Sequence, residues 1–421
     1  MKIVVIGGGF AGVNFAKSLA NKKDFEVTVV DMNNYNFFSP LIYQVATAFL
    51  EPTSISYPFR KLFAGKENIH FRLGEVKQII PEQNKVVLKD GDLEYDQLVF
   101  ATGAETNYFG MENVKNKAIP MKTLSDALEM RNRLLEQMEE ASTCKDPEKV
   151  KQLLTIVIAG GGPTGVELAG MFSELKRGIL RKEYPMLVGK GGNIYLVDGG
   201  KAILASMSEE SQKETYNALT KLGVEIRLNY QVKDYVDDMV LFTNEESIST
   251  KSLIWAAGIT GRTFEGLPVE SYGRGRRMIV DEFNKLQGTK NIYAIGDACL
   301  QTTDVHFPNG HPQVAQTAIQ QGINVAKNFQ AALKGEILRP FSYNDKGSMA
   351  IIGNNKAVVD LPKPKLHLKG FIAWLAWLFI HLLSLITYRN RIRTFYNWMI
   401  AYFTKDQSMR MIIRPAKKAI A

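Results

Sequence analysis

Cysteine is scarce in this chain of 421 residues: Cys144 and Cys299 are the only two, 155 positions apart. They form no CxxC or CxxxxC pair, which excludes a disulfide framework, a Cys-ligated metal site and dithiol redox chemistry. The five histidines show no HxxxH or HExxH spacing, so a conventional zinc enzyme is excluded too. A charged n-region, a long apolar h-region and a cleavage site are missing from the start, so the folded body is expected in the cytoplasm. An apolar run long enough to span a bilayer is also lacking. Residues 371–386 would reach ~24 Å as a helix, against a hydrocarbon core of ~30 Å.

Excess charge is absent from most of the chain. Of 52 basic and 43 acidic residues, 11 basic residues and the single acid Asp406 lie from Lys363 onward, leaving 41 against 42 in the remainder. A nucleic-acid binder would carry its basic excess on the folded body, so that class is set aside. A basic tail mixed with large apolar residues points instead to an anionic lipid surface. The rest of the composition, 45% apolar and 23% charged, is that of an ordinary globular chain with two or three domains.

What is present is a duplication. Residues 1–6 read as a buried strand, followed by Gly7-Gly8-Gly9-Phe10-Ala11-Gly12, a helix over 13–20, and a strand over 25–30 that ends at Asp31. The pattern returns at 155–159 with Gly160-Gly161-Gly162-Pro163-Thr164-Gly165, a helix over 166–177, and a strand over 193–197 that ends at Asp198. Each is a strand, a GxGxxG turn and a helix in the order that cradles a pyrophosphate. In the first unit Gly7 makes the tight turn, Gly9 lets backbone approach the phosphates, Gly12 lets the helix pack closely, and Asp31 accepts from a ribose diol. In the second, Gly160, Gly162 and Gly165 take these places with Asp198 as the ribose acid. The 33 residues from Gly165 to Asp198 exceed the usual spacing, which predicts a longer helix and a loop over 185–192. The Asp198 charge disfavours a 2′-phosphate and so favours NADH. LVFATG (98–103) and LIWAAG (253–258) are matching strand ends. A charged amphipathic helix is read over 124–142, a helix over 314–329 and a strand pair over 350–361.

Two dinucleotide sites in one chain imply electron transfer between a tightly bound flavin and an exchanging nicotinamide. GGGFAG at the N-terminus, ATG at 101–103, GGGPTGVELAG at 160–170 and NIYAIGD at 291–297 resemble the two-dinucleotide-binding-domain flavoproteins over roughly residues 1–330. YNFFSPLIYQVA (35–46), AQTAIQQG (315–322) and the aromatic, basic C-terminus narrow the resemblance to type II NADH:quinone oxidoreductases. The resemblance implies an α/β fold of two Rossmann-like domains, the second inserted in the first, with a C-terminal membrane-attachment region. The boundaries would be 1–118 and 284–340 for FAD, 119–283 for NADH and 341–421 for the membrane. FAD would be held by Gly7, Gly9, Gly12, Asp31, Thr102, Gly103 and Asp297, and NADH by Gly160, Gly162, Gly165, Asp198 and Gly258. Gln316 and Gln320, four apart on one helix face, would line a quinone site, with menaquinone or ubiquinone as acceptor and Glu167 assisting proton delivery. Asn36 departs from the family's frequent histidine, and Lys346 and Lys369 are candidates for a quinone-entrance lysine.

In the tail, the all-round apolar stretch 371–386 precedes apolar residues at Ile392, Phe395, Tyr396, Met399, Ile400 and Phe403, at helical spacing with a basic opposite face. This predicts monotopic attachment to the cytoplasmic face of the cell membrane, with Trp374, Trp377 and Trp398 at headgroup depth. The resemblance further implies a homodimer. Two other readings stand beside it: a sulfide:quinone oxidoreductase, which would use Cys299, and a membrane-docked flavoprotein that senses NADH.

Overall fold

Val4, Val5 and Ile6 are buried because the strand they form, Lys2–Ile6, runs through the middle of a parallel sheet. In the computed structural model, which describes residues 1–404 and 410–413, that sheet has the order Ile292–Ala294, Gln97–Phe100, Lys2–Ile6, Glu26–Asp31, Ile69–Leu73. Val4 pairs with Thr28 on one side and Leu98 on the other. The helix Phe10–Ser18 packs on the helix Ala315–Leu333, and the crossing is close at Gly322, where a Cβ would lie 2.5 Å from the Ala11 carbonyl oxygen. These elements belong to one compact unit, composed of Met1–Phe37, Ser56–Glu105 and Ile259–Asp345.

The second unit comprises Phe38–Ile55, Thr106–Gly258 and the chain from Lys346 onward, so most of it is inserted between segments of the first. Its sheet repeats the first: Ile119–Pro120, Ser252–Trp255, Ile156–Ala159, Ile194–Asp198, Val224–Leu228, again all parallel. Each unit also carries a three-stranded antiparallel sheet, at Val76–Ile80, Lys85–Leu88 and Gly91–Glu94 in the first and at Val232–Val236, Met239–Phe242 and Ser247–Ser249 in the second. The charged helix Leu124–Thr143 starts at a capping box between Thr123 and Asp126.

The tail holds more sheet than its sequence announces. The expected strand pair is Ser348–Gly353 and Lys356–Pro362, and a third antiparallel strand, Lys365–Lys369, follows Pro362 and Pro364. Asp360 fixes this sheet by accepting from Ser208 N–H (2.8 Å), Ser208 Oγ and Ser211 Oγ (2.9 Å each), with His367 Nδ1 at 2.9 Å. Two helices complete the tail, Gly370–Ser384 and Tyr388–Thr404. Among the described residues, no helix is long and apolar enough to cross a membrane.

The tryptophans depart from expectation. Trp377 (0% exposed) and Trp398 (7%) face inward rather than to a headgroup layer; Trp374 alone of the three is partly exposed. Trp377 stacks on His381 at 3.8 Å, and burial pushes that imidazole down to about 4, so it sits neutral in the fold. Ala373, Trp377 and His381 recur every four residues and make one inward stripe on a helix whose remaining residues are also apolar, so the sequence does not mark which stripe turns in. Phe371, Ile372, Leu375, Phe379, Ile380 and Leu383 are exposed, as are Ile392, Phe395, Tyr396, Met399, Ile400 and Phe403 on the second helix. Lys405, Asp406, Arg414, Lys417 and Lys418 lie outside the described residues.

Candidate functional site

At the end of the first strand the chain turns at Gly7, with φ +102° and so little room that a Cβ would fall 2.3 Å from the Ala101 carbonyl oxygen. A Cβ on Gly12 would meet the Gly7 carbonyl oxygen at 2.0 Å, whereas at Gly9 no atom lies within 4 Å. The loop therefore closes tightly behind and stays open in front, at the N-terminus of the helix Phe10–Ser18. Asp31 ends the second strand and accepts from Gly8 N–H (2.8 Å) and Asn33 N–H (2.8 Å); burial raises its pKa. Buried Asn36 donates to the Gly8 carbonyl at 2.7 Å, so this departure from the family pattern braces the glycine loop. Thr102 Oγ1 is buried without a hydrogen-bond partner among the described residues, and Gly103 turns with φ +66° into open space. Asp297 sits in the single turn Gly296–Ala298, which is held by Gln321 Oε1 accepting from Gly296 N–H at 2.7 Å. An open glycine loop at a helix N-terminus, an unused buried hydroxyl and a strand-end acid fit an FAD molecule.

The second loop repeats this geometry. Gly160 has φ +112°, with a Cβ position 2.5 Å from the Ala256 carbonyl oxygen; Gly165 would meet the Gly160 oxygen at 1.9 Å; Gly162 again faces open space. Asp198 Oδ2 accepts from Gly161 N–H and Oδ1 from Gly200 N–H, each at 2.6 Å. The long spacing has the predicted origin: the helix runs over Pro163–Lys182, with the turn Pro185–Leu187 after it. Gly258, in the counterpart of the ATG turn, accepts from Asn107 N–H at 3.1 Å and lies against the Phe109 ring.

Gln316 and Gln320 share a face of the helix Ala315–Leu333. Gln316 Oε1 accepts from Tyr343 O–H at 3.5 Å, while Gln320 donates to the Asn344 carbonyl and accepts from Asn344 N–H, both at 3.0 Å. Both amide atoms of Gln320 are thus occupied in holding backbone. Gln321, which sequence reasoning passed over, is wholly buried behind the Asp297 turn.

Glu167 lies in the helix Pro163–Lys182. It is buried on the second fingerprint helix, and desolvation holds its carboxyl well above the usual carboxylate range. Its one hydrogen bond of note comes from the Ile351 backbone. The tail strand approaches this helix closely at Gly170, where a Cβ would lie 1.8 Å from the Ile352 carbonyl oxygen. Tyr43, fully buried, is coupled electrostatically to Glu167, and its phenol is pushed well above its ordinary range by burial first and that carboxyl second. Gln44 Nε2 donates to Tyr43 Oη at 3.0 Å, and Trp398 Nε1 donates to Gln44 Oε1 at 2.8 Å. Beside this chain of contacts lies an open cavity of about 410 Å³, walled by Gln44, Met171, Ile351 and residues of both tail helices, among them the exposed Phe371, Phe379 and Phe395. The polar pair Tyr43-Gln44, set within the apolar stretch LIYQVA, was its only trace in the sequence.

Residues 1–322 match the pyridine nucleotide-disulphide oxidoreductase family, and residues 346–412 match the NDH2 C-terminal domain. The type II NADH:quinone oxidoreductase NdhA of Mycobacterium tuberculosis is 33% identical over 428 residues, covering 98% of this chain and 89% of the relative. The chain belongs to the type II NADH:quinone oxidoreductases. The fold agrees: the NDH2 structure from Plasmodium falciparum in complex with NADH superposes with a TM-score of 0.89 at 22% identity, covering 98% of this chain and 99% of that one. The sulfide:quinone oxidoreductase of Aquifex aeolicus shares the fold at a TM-score of 0.73 and 19% identity, covering 96% of each chain. Family membership makes the thiols worth placing. Cys299 is buried, and desolvation pushes it up to about 11, so it stays a protonated thiol beside Gln321 and Asn284. Cys144 and Cys299 are both free thiols, and this disfavours the sulfide reading. Of the two candidate lysines, Lys369 forms an ion pair with Glu214 at 3.4 Å.

Proposed function

We propose that this chain oxidises NADH and reduces a membrane quinone, menaquinone or ubiquinone, to quinol without pumping protons. The carrying observation is the pair of matching glycine loops, one in each unit, on a chain whose tail presents two helices with exposed apolar faces. FAD, when bound, supplies the two-electron acceptor and donor chemistry between the two substrates. Gly7, Gly9 and Gly12 would present backbone N–H groups and the helix N-terminus to its pyrophosphate, Asp31 would take the ribose, and Thr102, Gly103 and Asp297 would border the rest. Gly160, Gly162, Gly165 and Gly258 would cradle NADH, with the Asp198 carboxylate accepting from the ribose diol and repelling a 2′-phosphate.

Glu167, protonated and shielded from water, would hold a proton for the quinone. Gln316 would face the quinone from its helix, and Gln320 would act through the Asn344 backbone it fixes. The exposed apolar faces of the tail helices, with Arg389, Arg391 and Arg393 among them, would seat the protein on the anionic, cytoplasmic surface of the cell membrane as a homodimer. The NADH-binding domain would be the insert over 119–283. An anaerobic titration tests the reading. NADH should bleach the flavin band near about 450 nm, and a short-chain quinone should restore it rapidly. Bleaching without recovery would leave an NADH sensor, and bleaching by sulfide alone would leave the sulfide enzyme.

A further inference from the structure

Phe109 is a large apolar side chain left 61% exposed, and its backbone turns with φ +51°. That left-handed conformation is uncommon outside glycine and an outlier for a bulky residue. Three hydrogen bonds through Asn107 hold it there. Asn107 Oδ1 accepts from Phe109 N–H (2.8 Å), the Asn107 carbonyl accepts from Trp255 Nε1 (2.8 Å), and Asn107 N–H donates to the Gly258 carbonyl (3.1 Å). The ring so placed lies against Gly258, where a Cβ would fall 2.7 Å from Phe109 Cζ. Folding alone gains little from a strained backbone that keeps a phenyl ring in water.

The ring's place in the second unit gives it a partner. The strand order there runs Ile119–Pro120, Ser252–Trp255, Ile156–Ala159, Ile194–Asp198. A dinucleotide across the carboxyl ends of such a sheet sets its pyrophosphate on the glycine loop and its adenosine ribose on the strand-end acid, here Asp198. Its other half then leaves on the opposite side of Ile156–Ala159, over the turn that follows Ser252–Trp255. That turn is 256–258. Its Ala256 carbonyl oxygen is 2.5 Å from a Cβ placed on Gly160, and its Gly258 carries the Phe109 ring. Resting on the NADH reading above, we propose that Phe109 is an NADH-binding residue whose ring packs on the nicotinamide-ribose half of the dinucleotide. An apolar ring suits that half, which ends in a flat aromatic ring. Binding covers the exposed phenyl, and the bonds through Asn107 fix the ring in advance, so less ordering is left to the ligand.

The test uses the full-length, flavin-loaded protein in detergent and reads binding by calorimetry, with NAD⁺ and ADP as probes. Both occupy the glycine loop and reach Asp198, and only NAD⁺ carries the nicotinamide half. Phe109→Asn removes the ring and suits the left-handed backbone. It should weaken NAD⁺ by about five- to tenfold and leave ADP within about twofold. Phe109→Gly should show the same split, and it serves if Phe109→Asn fails to fold. Phe109→Tyr, which keeps the ring, should recover the NAD⁺ affinity. Unchanged NAD⁺ binding in either folded variant overturns the proposal. So does an equal loss of NAD⁺ and ADP, which marks a disturbed loop rather than a lost contact. A wild-type protein that binds neither probe would overturn the NADH reading instead, and the two failures are distinct.

Discussion

The two glycine loops share a frame and differ in what surrounds it. In both, the second glycine's N–H bonds the strand-end aspartate, at 2.8 Å to Asp31 and 2.6 Å to Asp198. The carbonyl of that glycine is also taken in each, by the Asn36 side chain in the first and by Leu204 N–H in the second, at 2.7 Å in both. The cover differs: a Cβ on Gly8 would strike the Phe59 ring at 2.2 Å, and one on Gly161 would meet Ile203 Cγ2 at 2.9 Å. Two residues past the third glycine the units part. Asn14 bonds back to the Phe10 carbonyl of its own helix, whereas Glu167 is sealed in, with burial pushing its carboxyl pKa up. The crossover turns diverge as well, with Thr102 carrying a free buried hydroxyl where the second turn has Ala257. One backbone solution to phosphate binding thus serves a resident cofactor and an exchanging substrate, and the side chains around it separate the two roles.

The largest expected effect tests whether the units act independently. Gly12→Val and Gly165→Val each place side-chain carbon into a carbonyl oxygen, a clash of about 1–3 kcal/mol or more. The first should give colourless protein by absorbance. The second should stay yellow yet no longer be bleached by NADH, and a colourless Gly165→Val would show that the loops do not act separately.

Glu167→Gln comes next, and should slow quinone reduction in stopped flow by about a hundredfold, the scale of a lost general acid. It also carries a stability signature. The folded carboxyl keeps a proton that the unfolded chain releases above its usual pKa near 4.5, so the wild type's advantage from it is full below that pH and falls as pH rises towards the folded value. The melting temperature of Glu167→Gln minus that of wild type should therefore grow as pH rises above about 5. A flat difference would mean that the carboxyl is ionised in the fold.

Asp198→Ala should improve NADPH relative to NADH by about tenfold in kcat/KM, because it removes the charge facing a 2′-phosphate. The smallest effect is expected of Thr102→Val, which makes the first crossover like the second. It should weaken flavin retention by about 1 kcal/mol, read as the equilibrium loss of flavin on dilution.

The glycine loops were legible because their backbone angles and close approaches leave no other residue a choice; Gly7, Gly12, Gly160 and Gly165 each face a carbonyl oxygen or carbon. The doubled sheet followed from them, as did the long helix that separates Gly165 from Asp198. What stayed hidden depended on contacts far along the chain. The Lys365–Lys369 strand lies beyond two prolines that locally signal a loop, and its pairing with Lys356–Pro362 prevails. An all-apolar helix does not announce which stripe turns inward, so the burial of Trp377 and Trp398 could not be read from spacing. Gln44 looked like part of a motif, and its bond to Trp398 emerges only in the fold. Gln320 looked free, and Asn344 occupies it.

The bond between Trp398 and Gln44 joins residues 354 positions apart, and Asn390 likewise reaches back to Ser54 at 2.8 Å, across 336. During synthesis the segment Phe38–Ile55 packs first on the helices Leu124–Thr143 and Pro163–Lys182, and its bonds to Asn390 and Trp398 close only once the tail has been translated. A chain stalled before Tyr388–Thr404 would leave the Ser54 carbonyl and the Gln44 amide without these partners, giving quality-control machinery a signal that the protein is unfinished.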